Sequence, residues 1–286
     1  MADRGAEGIA DTCAELDRLG IHHCGAGPDL PQARAPARFT VGSTRIALLS
    51  YNCVGPEASW ATASRAGCAY IKVHTADGSP IAPAAPLQTA DPDSLAAMSR
   101  DIAGAARDGT VVVVALHKGI VHTPARLAPY ERPIAHQAID AGAAIVVSHH
   151  AHILRGIELY RDKPIFHGLG NGCVVTHALR PDQSHVARAE WARQRRQRFG
   201  FEPDPAYTLA PFHPEAVHAL LARVRLLESG QIEAGFIPVH VEPPGRPVLA
   251  AGAAAERVIE YVRRITVEAG LPPLKLTQRD AMVVVT

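Results

Sequence analysis

Residues 110–116 read Thr-Val-Val-Val-Val-Ala-Leu, an apolar and β-branched run too short for a core helix and suited to a strand buried in a sheet. The segment before it, Asp93 to Asp108, fits a capped helix, with Pro92 and Asp93 at its start and Gly109 at its end. The same order then returns. Pro129 to Ala141 is predicted helical, Gly142 closes it, and Ala144 to Val147 is a second apolar strand that stops at Ser148. A helix feeding a buried strand, twice in succession, implies an α/β fold with helices outside the sheet.

Both strands run into histidine. His117 follows the first, and Ser148-His149-His150-Ala151-His152 follows the second. Open α/β sheets place ligands at the carboxyl ends of their strands, where loops converge on a backbone that the sheet still holds. Nine histidines (117, 122, 136, 149, 150, 152, 167, 177 and 185) fall within 69 residues, where even spreading of 15 over 286 would put about four. Neutral imidazole is a borderline ligand for zinc, iron, manganese or nickel, and His150-Ala151-His152 sets two of them on one short loop. With His117 at the other strand end, a metal or phosphate site is the expectation.

Elsewhere the pattern is simpler. Residues 6–19 form an amphipathic helix ended by Gly20, a Gly- and Pro-bearing loop follows, and 44–51 reads as a buried strand. Residues 54–92, rich in Ala, Pro and Gly, read as a long irregular loop. Ile157–Tyr160 and Pro164–Phe166 flank Arg161-Asp162-Lys163 as a hairpin. Pro214–Leu220 is expected to be helical, 221–227, 232–237 and 239–241 to be antiparallel strands, and 254–269 a closing amphipathic helix. With no internal repeat or linker, the chain is expected to be a single domain, 1–286, with a core over 1–180 and an antiparallel and helical portion over 181–286.

Charge and apolar content narrow the function classes. Twenty-nine basic residues against 28 acidic ones give no field to steer nucleic acid. No apolar run reaches about 18 residues, and the start lacks a basic segment followed by an apolar one. As written, the chain is expected to be cytoplasmic with no membrane segment. Its five cysteines, odd in number and scattered, are expected to be free thiols.

Several ordered segments resemble one known family. They are His117-Lys118-Gly119, Ala135 to Ala143, Ser148-His149-His150-Ala151-His152-Ile153-Leu154-Arg155-Gly156-Ile157-Glu158-Leu159-Tyr160, Lys163-Pro164-Ile165-Phe166 and Leu169-Gly170-Asn171. This block is similar to the bacterial capsule-synthesis CapA-type family, linked to poly-γ-glutamate formation. Gly8 to Ile21 with Gly25-Ala26-Gly27 resembles its second helix and turn, and the stretches Pro203-Asp204-Pro205 and Pro211-Phe212-His213-Pro214 its C-terminal part.

The resemblance implies a mixed-sheet, four-layer calcineurin-like metallophosphoesterase architecture. It also implies that the chain is N-terminally truncated. Family members open with a strand carrying a Gly-Asp metal ligand and continue to an Asn-His pair before x-x-Asp-x-Gly, which Met1 to Gly5 fits, so most acidic ligands would precede Met1. Such a segment could equally have carried a signal or a membrane anchor. Either Met1 is an internal methionine or the truncation is real.

Carried over by position, His117, His150 and His152 would bind divalent metal ions (Mn, Zn or Fe), with His150, as the catalytic residue, or a histidine before Met1 nearest the reacting group. The implied function is capsule or poly-γ-glutamate biosynthesis by metal-dependent hydrolysis of a phosphate or γ-glutamyl substrate. Its partner would be an anionic polymer or a phosphorylated small molecule. The alternatives are a non-catalytic accessory protein that binds the polymer or a partner, and a degenerate fragment.

Further positions carry two readings each. His122 would touch substrate or hold a loop, and Glu158 would orient a ligand histidine or lie solvated at a strand edge. Asn171 would hold a turn or bind substrate, and His149 reads as an exposed or packing histidine. Arginines 188, 193, 195, 196 and 198 would meet an anionic polymer or form a solvated helix face. Lys118, Ala144, Ser148 and Gly172 depart from the family's Trp, Asp, Gly and aromatic, and are expected to loosen the surroundings of the site.

Overall fold

The computed structural model describes residues 4–81, 85–176, 184, 186–194, 197, 200–202, 204–210, 213–227, 229 and 231–286. The chain is a mixed α/β protein. It divides into two compact units: Met1–Ile120, Leu127–His149 and Tyr160–Ile165 in the first, and Val121–Arg126, His150–Leu159 and Phe166–Thr286 in the second.

In chain order the strands are β1 (Ala26–Gly27), β2 (Ala37–Val41), β3 (Thr44–Asn52), β4 (Gly67–Cys68), β5 (Val73–Thr75), β6 (Leu87–Ala90), β7 (Val111–Lys118), β8 (Ile145–His150), β9 (Ile157–Tyr160), β10 (Lys163–Phe166), β11 (His218–Leu226), β12 (Ile232–Glu242), β13 (Arg246–Leu249), β14 (Leu276–Arg279) and β15 (Met282–Val285). The helices are α1 (Gly5–Arg18), α2 (Leu30–Ala33), α3 (Pro92–Ala105), α4 (Glu131–Asp140), α5 (Val186–Arg193) and α6 (Gly252–Glu268). The largest sheet has the order β2-β3-β7-β8-β10-β9. It is mixed, since β2 pairs antiparallel with β3 and β3 parallel with β7.

The helix-strand repeat explains the first unit. Asp91 caps α3 by accepting the Ser94 N–H at 3.0 Å, with Pro92 in the first turn. One face of α3 buries Met98, Ile102 and Ala105, and one face of α4 buries Ile134, Ala135, Ala138 and Ile139. They share a core with Val112, Val114 and Leu116 of β7 and Val146 of β8. The parallel register of β3 and β7 ends on Asn52 opposite His117, so the last residue of β3 lies beside the strand-end histidine. Asn52 is buried, and its Oδ1 accepts the N–H groups of Val54 and Gly55, which turns the chain at that strand end.

The second unit is built on antiparallel pairing. β11 pairs with β12, which also pairs with β13 and β15, and β15 pairs with β14. Helix α6 buries Ala255, Val258, Tyr261, Val262, Ile265 and Thr266. Each of its larger apolar side chains contributes roughly 1.5–3 kcal/mol of transfer free energy. Thr266 Oγ1 also accepts the Ile157 N–H at 3.2 Å, and Gly156 permits this approach because a Cβ there would lie 3.0 Å from Thr266 Cα.

Four expectations are corrected. The stretch 54–92 is not wholly irregular, for it contains β4, β5 and β6. The strand expected to stop at Ser148 continues to His150, which puts His149 on regular backbone and His150 at the strand's last position. Pro214–Leu220 is a short 3-10 turn, Pro214–Val217, followed at once by β11. The strands expected at 232–237 and 239–241 are one continuous β12, and β2, β14 and β15 were not foreseen. Among the arginines, Arg193 is exposed and pairs with Glu190 at 2.8 Å, while residues 195, 196 and 198 and the side chain of Arg188 lie outside the described residues. Asp3, His177, His185, Pro203, Pro211 and Phe212 lie outside them as well.

Candidate functional site

In the first unit, β7 and β8 present His117 and His149. Their Nδ1 atoms are 2.8 Å apart and their ring centroids 4.8 Å apart, tilted by 60°. Two ring nitrogens at that distance share one proton between a donor and an acceptor, so the two neutral rings are opposite tautomers. One Nε2 therefore carries a hydrogen and the other a lone pair. His149, expected to be an exposed or packing residue, is exposed and is also the partner of a predicted ligand. The signal for it is the adjacency of two histidine-ended strands rather than any local motif.

Lys118, next to His117, is not a loose feature. It is fully buried, and its Nζ lies 2.9 Å from Glu131 Oε2 at the start of α4. Glu131 Oε1 accepts the Ala128 N–H at 2.7 Å, and the Tyr130 hydroxyl accepts the Gly119 N–H at 2.8 Å. The turn after His117 is thereby tied to the start of α4. Ser148, where the family has Gly, is fully buried and packed into the sheet, while a Cβ on Gly172 would meet open space.

In the second unit, His122, His150 and His152 all sit at positive φ: 54°, 103° and 55°. Histidine rarely adopts that region, and strained backbone gathers where a site dictates side-chain direction. The His122 N–H donates to Ala151 O at 2.8 Å, and the buried Arg155 guanidinium donates to Arg126 O, so the segment carrying His122 is fastened to the loop carrying His152. The rings of His122 and His152 are 6.0 Å apart. Burial, with the nearby His152, His213 and His150, pushes the His122 pKa down to about 3, so this ring is neutral at neutral pH.

Asn171 decides how His152 behaves. Its Nδ2 donates to the His152 carbonyl at 3.0 Å, which turns Oδ1 toward the His152 ring, 3.1 Å from Nδ1. An amide oxygen only accepts, so Nδ1 carries the ring hydrogen and Nε2 keeps its lone pair, the tautomer a metal ligand needs. Gly170 makes the arrangement possible. At φ 79°, it lies where a Cβ would be 2.9 Å from His218 O.

Glu158 is 2% exposed, not solvated at a strand edge, and its Oε2 lies 3.2 Å from Nε2 of the fully buried His167. His167 was not singled out from the sequence. His136, another member of the dense stretch, stacks on Tyr160 at 3.8 Å.

Imidazole donors with fixed lone pairs suit a borderline divalent cation. Among the described residues, however, no group of three or more His, Cys, Asp or Glu is gathered so as to hold a metal ion. His117 belongs to the first unit, and His150 and His152 to the second.

These strand-end histidines fall within residues 1–174, which match the family model described as bacterial capsule synthesis protein PGA_cap. The chain belongs to the PGA_cap family. It is similar to a probable polyglutamine synthesis accessory protein of Mycobacterium tuberculosis, 35% identical over 60% of this chain and 42% of that protein. It is similar also to the capsule biosynthesis protein CapA of Bacillus anthracis, 26% identical over 60% of this chain and 37% of the relative. The PGA biosynthesis protein CapA of Bacillus subtilis is 29% identical over 59% of this chain and 39% of its own length. The chain thus spans under half the length of these relatives. The PGA_cap match covers every predicted site residue and leaves Phe201, His213 and His218 outside it. Among the described residues, no helix is long and apolar enough to cross a membrane.

Proposed function

We propose that this PGA_cap member acts in capsule or poly-γ-glutamate biosynthesis as a metal-dependent hydrolase of a phosphate or γ-glutamyl substrate, on a four-layer calcineurin-like metallophosphoesterase architecture. The names of its relatives support the pathway. The observation that carries the chemistry is the Asn171 amide, which fixes the His152 tautomer that has its lone pair on Nε2.

By the family resemblance, His117, His150 and His152 are the residues that would serve as ligands to Mn, Zn or Fe. When bound there, a divalent ion would supply Lewis-acid chemistry toward a phosphoryl or carboxyl oxygen and toward water. His150 is the residue assigned nearest the reacting group. Asn171 is a positioning residue, because both ends of its amide are engaged by His152. Neutral His122 offers a substrate oxygen a hydrogen bond without adding charge.

Purified protein tests this reading. Incubated with Mn²⁺ or Zn²⁺, it is expected to cleave a phosphodiester or a γ-glutamyl peptide, and to lose that activity with a chelator or with His150→Ala. Turnover indifferent to both treatments overturns it. The description of the mycobacterial relative as an accessory protein favours a second reading, a non-catalytic binder of the anionic polymer. Polymer binding that survives chelation, without turnover, would select that one.

A further inference from the structure

His213 lies beyond residues 1–174, so neither the family match nor the predicted ligand set assigns it a role. It precedes the short turn Pro214–Val217, and its Nδ1 accepts the Glu215 N–H at 3.1 Å. That bond fixes the tautomer: a neutral ring whose Nδ1 accepts must carry its hydrogen on Nε2. Burial lowers the His213 pKa against an opposing effect of Glu215, which keeps the neutral form dominant at neutral pH. The turn itself is held by α6, because Tyr261 donates its hydroxyl to Glu215 Oε2 at 3.1 Å and Arg264 donates to Oε1 at 3.0 Å.

A row of rings runs from His213 to the histidines described above, all within the second unit. His213 meets Phe201 edge to face, with centroids 4.7 Å apart, and Phe201 meets His122 in the same manner at 5.6 Å. His122 in turn lies 6.0 Å from His152. Besides burial, the imidazoles of His152, His213 and His150 hold the His122 pKa down. The row ends in opposite chemistry. Asn171 leaves His152 with a lone pair at Nε2, and Glu215 leaves His213 with a hydrogen at Nε2. A lone pair suits a cation, whereas an N–H suits an anionic oxygen.

We propose that His213 is a substrate-binding residue of the second unit, whose Nε2–H donates a hydrogen bond to a carboxylate or phosphate oxygen of the molecule this histidine cluster takes. The inference rests on reading that cluster as a site. It adds an anion contact that a ligand role for His150 and His152 does not require. Phe201 sets the position of the His213 ring by packing against one side of it.

Two substitutions separate donor from scaffold. His213→Asn keeps an acceptor for the Glu215 N–H but lacks the distal donor, while His213→Gln reaches the Nε2 position with an amide N–H. Binding of inorganic phosphate and of a γ-linked glutamyl-glutamate dipeptide is measured by titration calorimetry, with thermal unfolding as the check on folding. Wild type is expected to bind at least one probe, and the tighter one identifies the source of the anion. His213→Asn is expected to bind it about tenfold to a hundredfold more weakly, the range for losing a hydrogen bond to a charged group. His213→Gln is expected to restore binding to within about threefold of wild type. Wild type binding neither probe, His213→Asn binding as wild type does, or His213→Gln binding no better than His213→Asn overturns the proposal. Metal uptake by the same samples keeps the two readings apart. No uptake by wild type sinks the metal reading alone, and His213-independent anion binding with normal uptake sinks this one alone.

Discussion

The two units hold their histidines by different means. His117 and His149 stand on the regular backbone of β7 and β8 and engage each other directly, nitrogen to nitrogen. His122, His150 and His152 stand at left-handed positions, and the orientation of His152 is set by an asparagine 19 residues further on. A strand aims side chains at no conformational cost, whereas positive φ costs on the order of 1–3 kcal/mol at each position and persists only where surrounding bonds over-determine it. The first unit therefore depends on what anchors its strand ends, and the second on what anchors its loops.

The largest expected effect strikes the anchor beside His117. Lys118→Met leaves Glu131 buried without its ammonium partner and is expected to cost about 3–5 kcal/mol in urea unfolding. Adding Glu131→Leu is expected to recover most of that loss. A single-variant cost below about 1 kcal/mol would mean that the pair does not hold the turn after His117. A middle-sized effect is expected from Asn171→Ala, which frees the His152 ring. Zn²⁺ affinity is expected to fall about tenfold to a hundredfold while the unfolding midpoint changes little. Unchanged affinity would break the contrast, since His152 would then need no asparagine.

The smallest effect concerns pH. His218 stacks on Tyr261 at 4.5 Å, and His240, Glu215, Arg257 and Arg264 also act on it; burial above all pushes its pKa down to about 4. The unfolded chain takes up this proton near the ordinary value of 6.5, so the stability due to neutral His218 is full above about pH 6.5 and is lost as pH falls toward 4. Urea midpoints are expected to drop across that window by on the order of 1 kcal/mol, discounted for partial exposure. His218→Phe is expected to flatten the slope. An equal slope in that variant would assign the effect to other groups.

Much of the frame was legible before any coordinates. The capped helix and four valines predicted α3 and β7, their repetition predicted α4 and β8, and the polar triplet 161–163 predicted the β9–β10 hairpin. Of the strands that went unread, β2 and β14 are mostly exposed, β4 to β6 are two to four residues long, and β15 is a buried four-residue apolar run. None of them carries an apolar alternation strong enough to stand out. In the site, histidine density and placement pointed to His117, His150 and His152. His213 was read only as part of a stretch resembling the family's C-terminal part, and its place beside Phe201 and His122 is set by the tertiary structure.

Sequence alone determined that two strands end in histidine, because burial of β-branched side chains is a strong local signal and the residue after such a run must lie at a strand end. The tertiary structure decided the tautomers. Asn171 sets that of His152, the meeting of β7 and β8 makes His117 and His149 opposite tautomers, and the turn held on α6 sets that of His213. Apolar patterning is written in neighbouring residues, but the partner of a polar atom is set by where the chain returns in space.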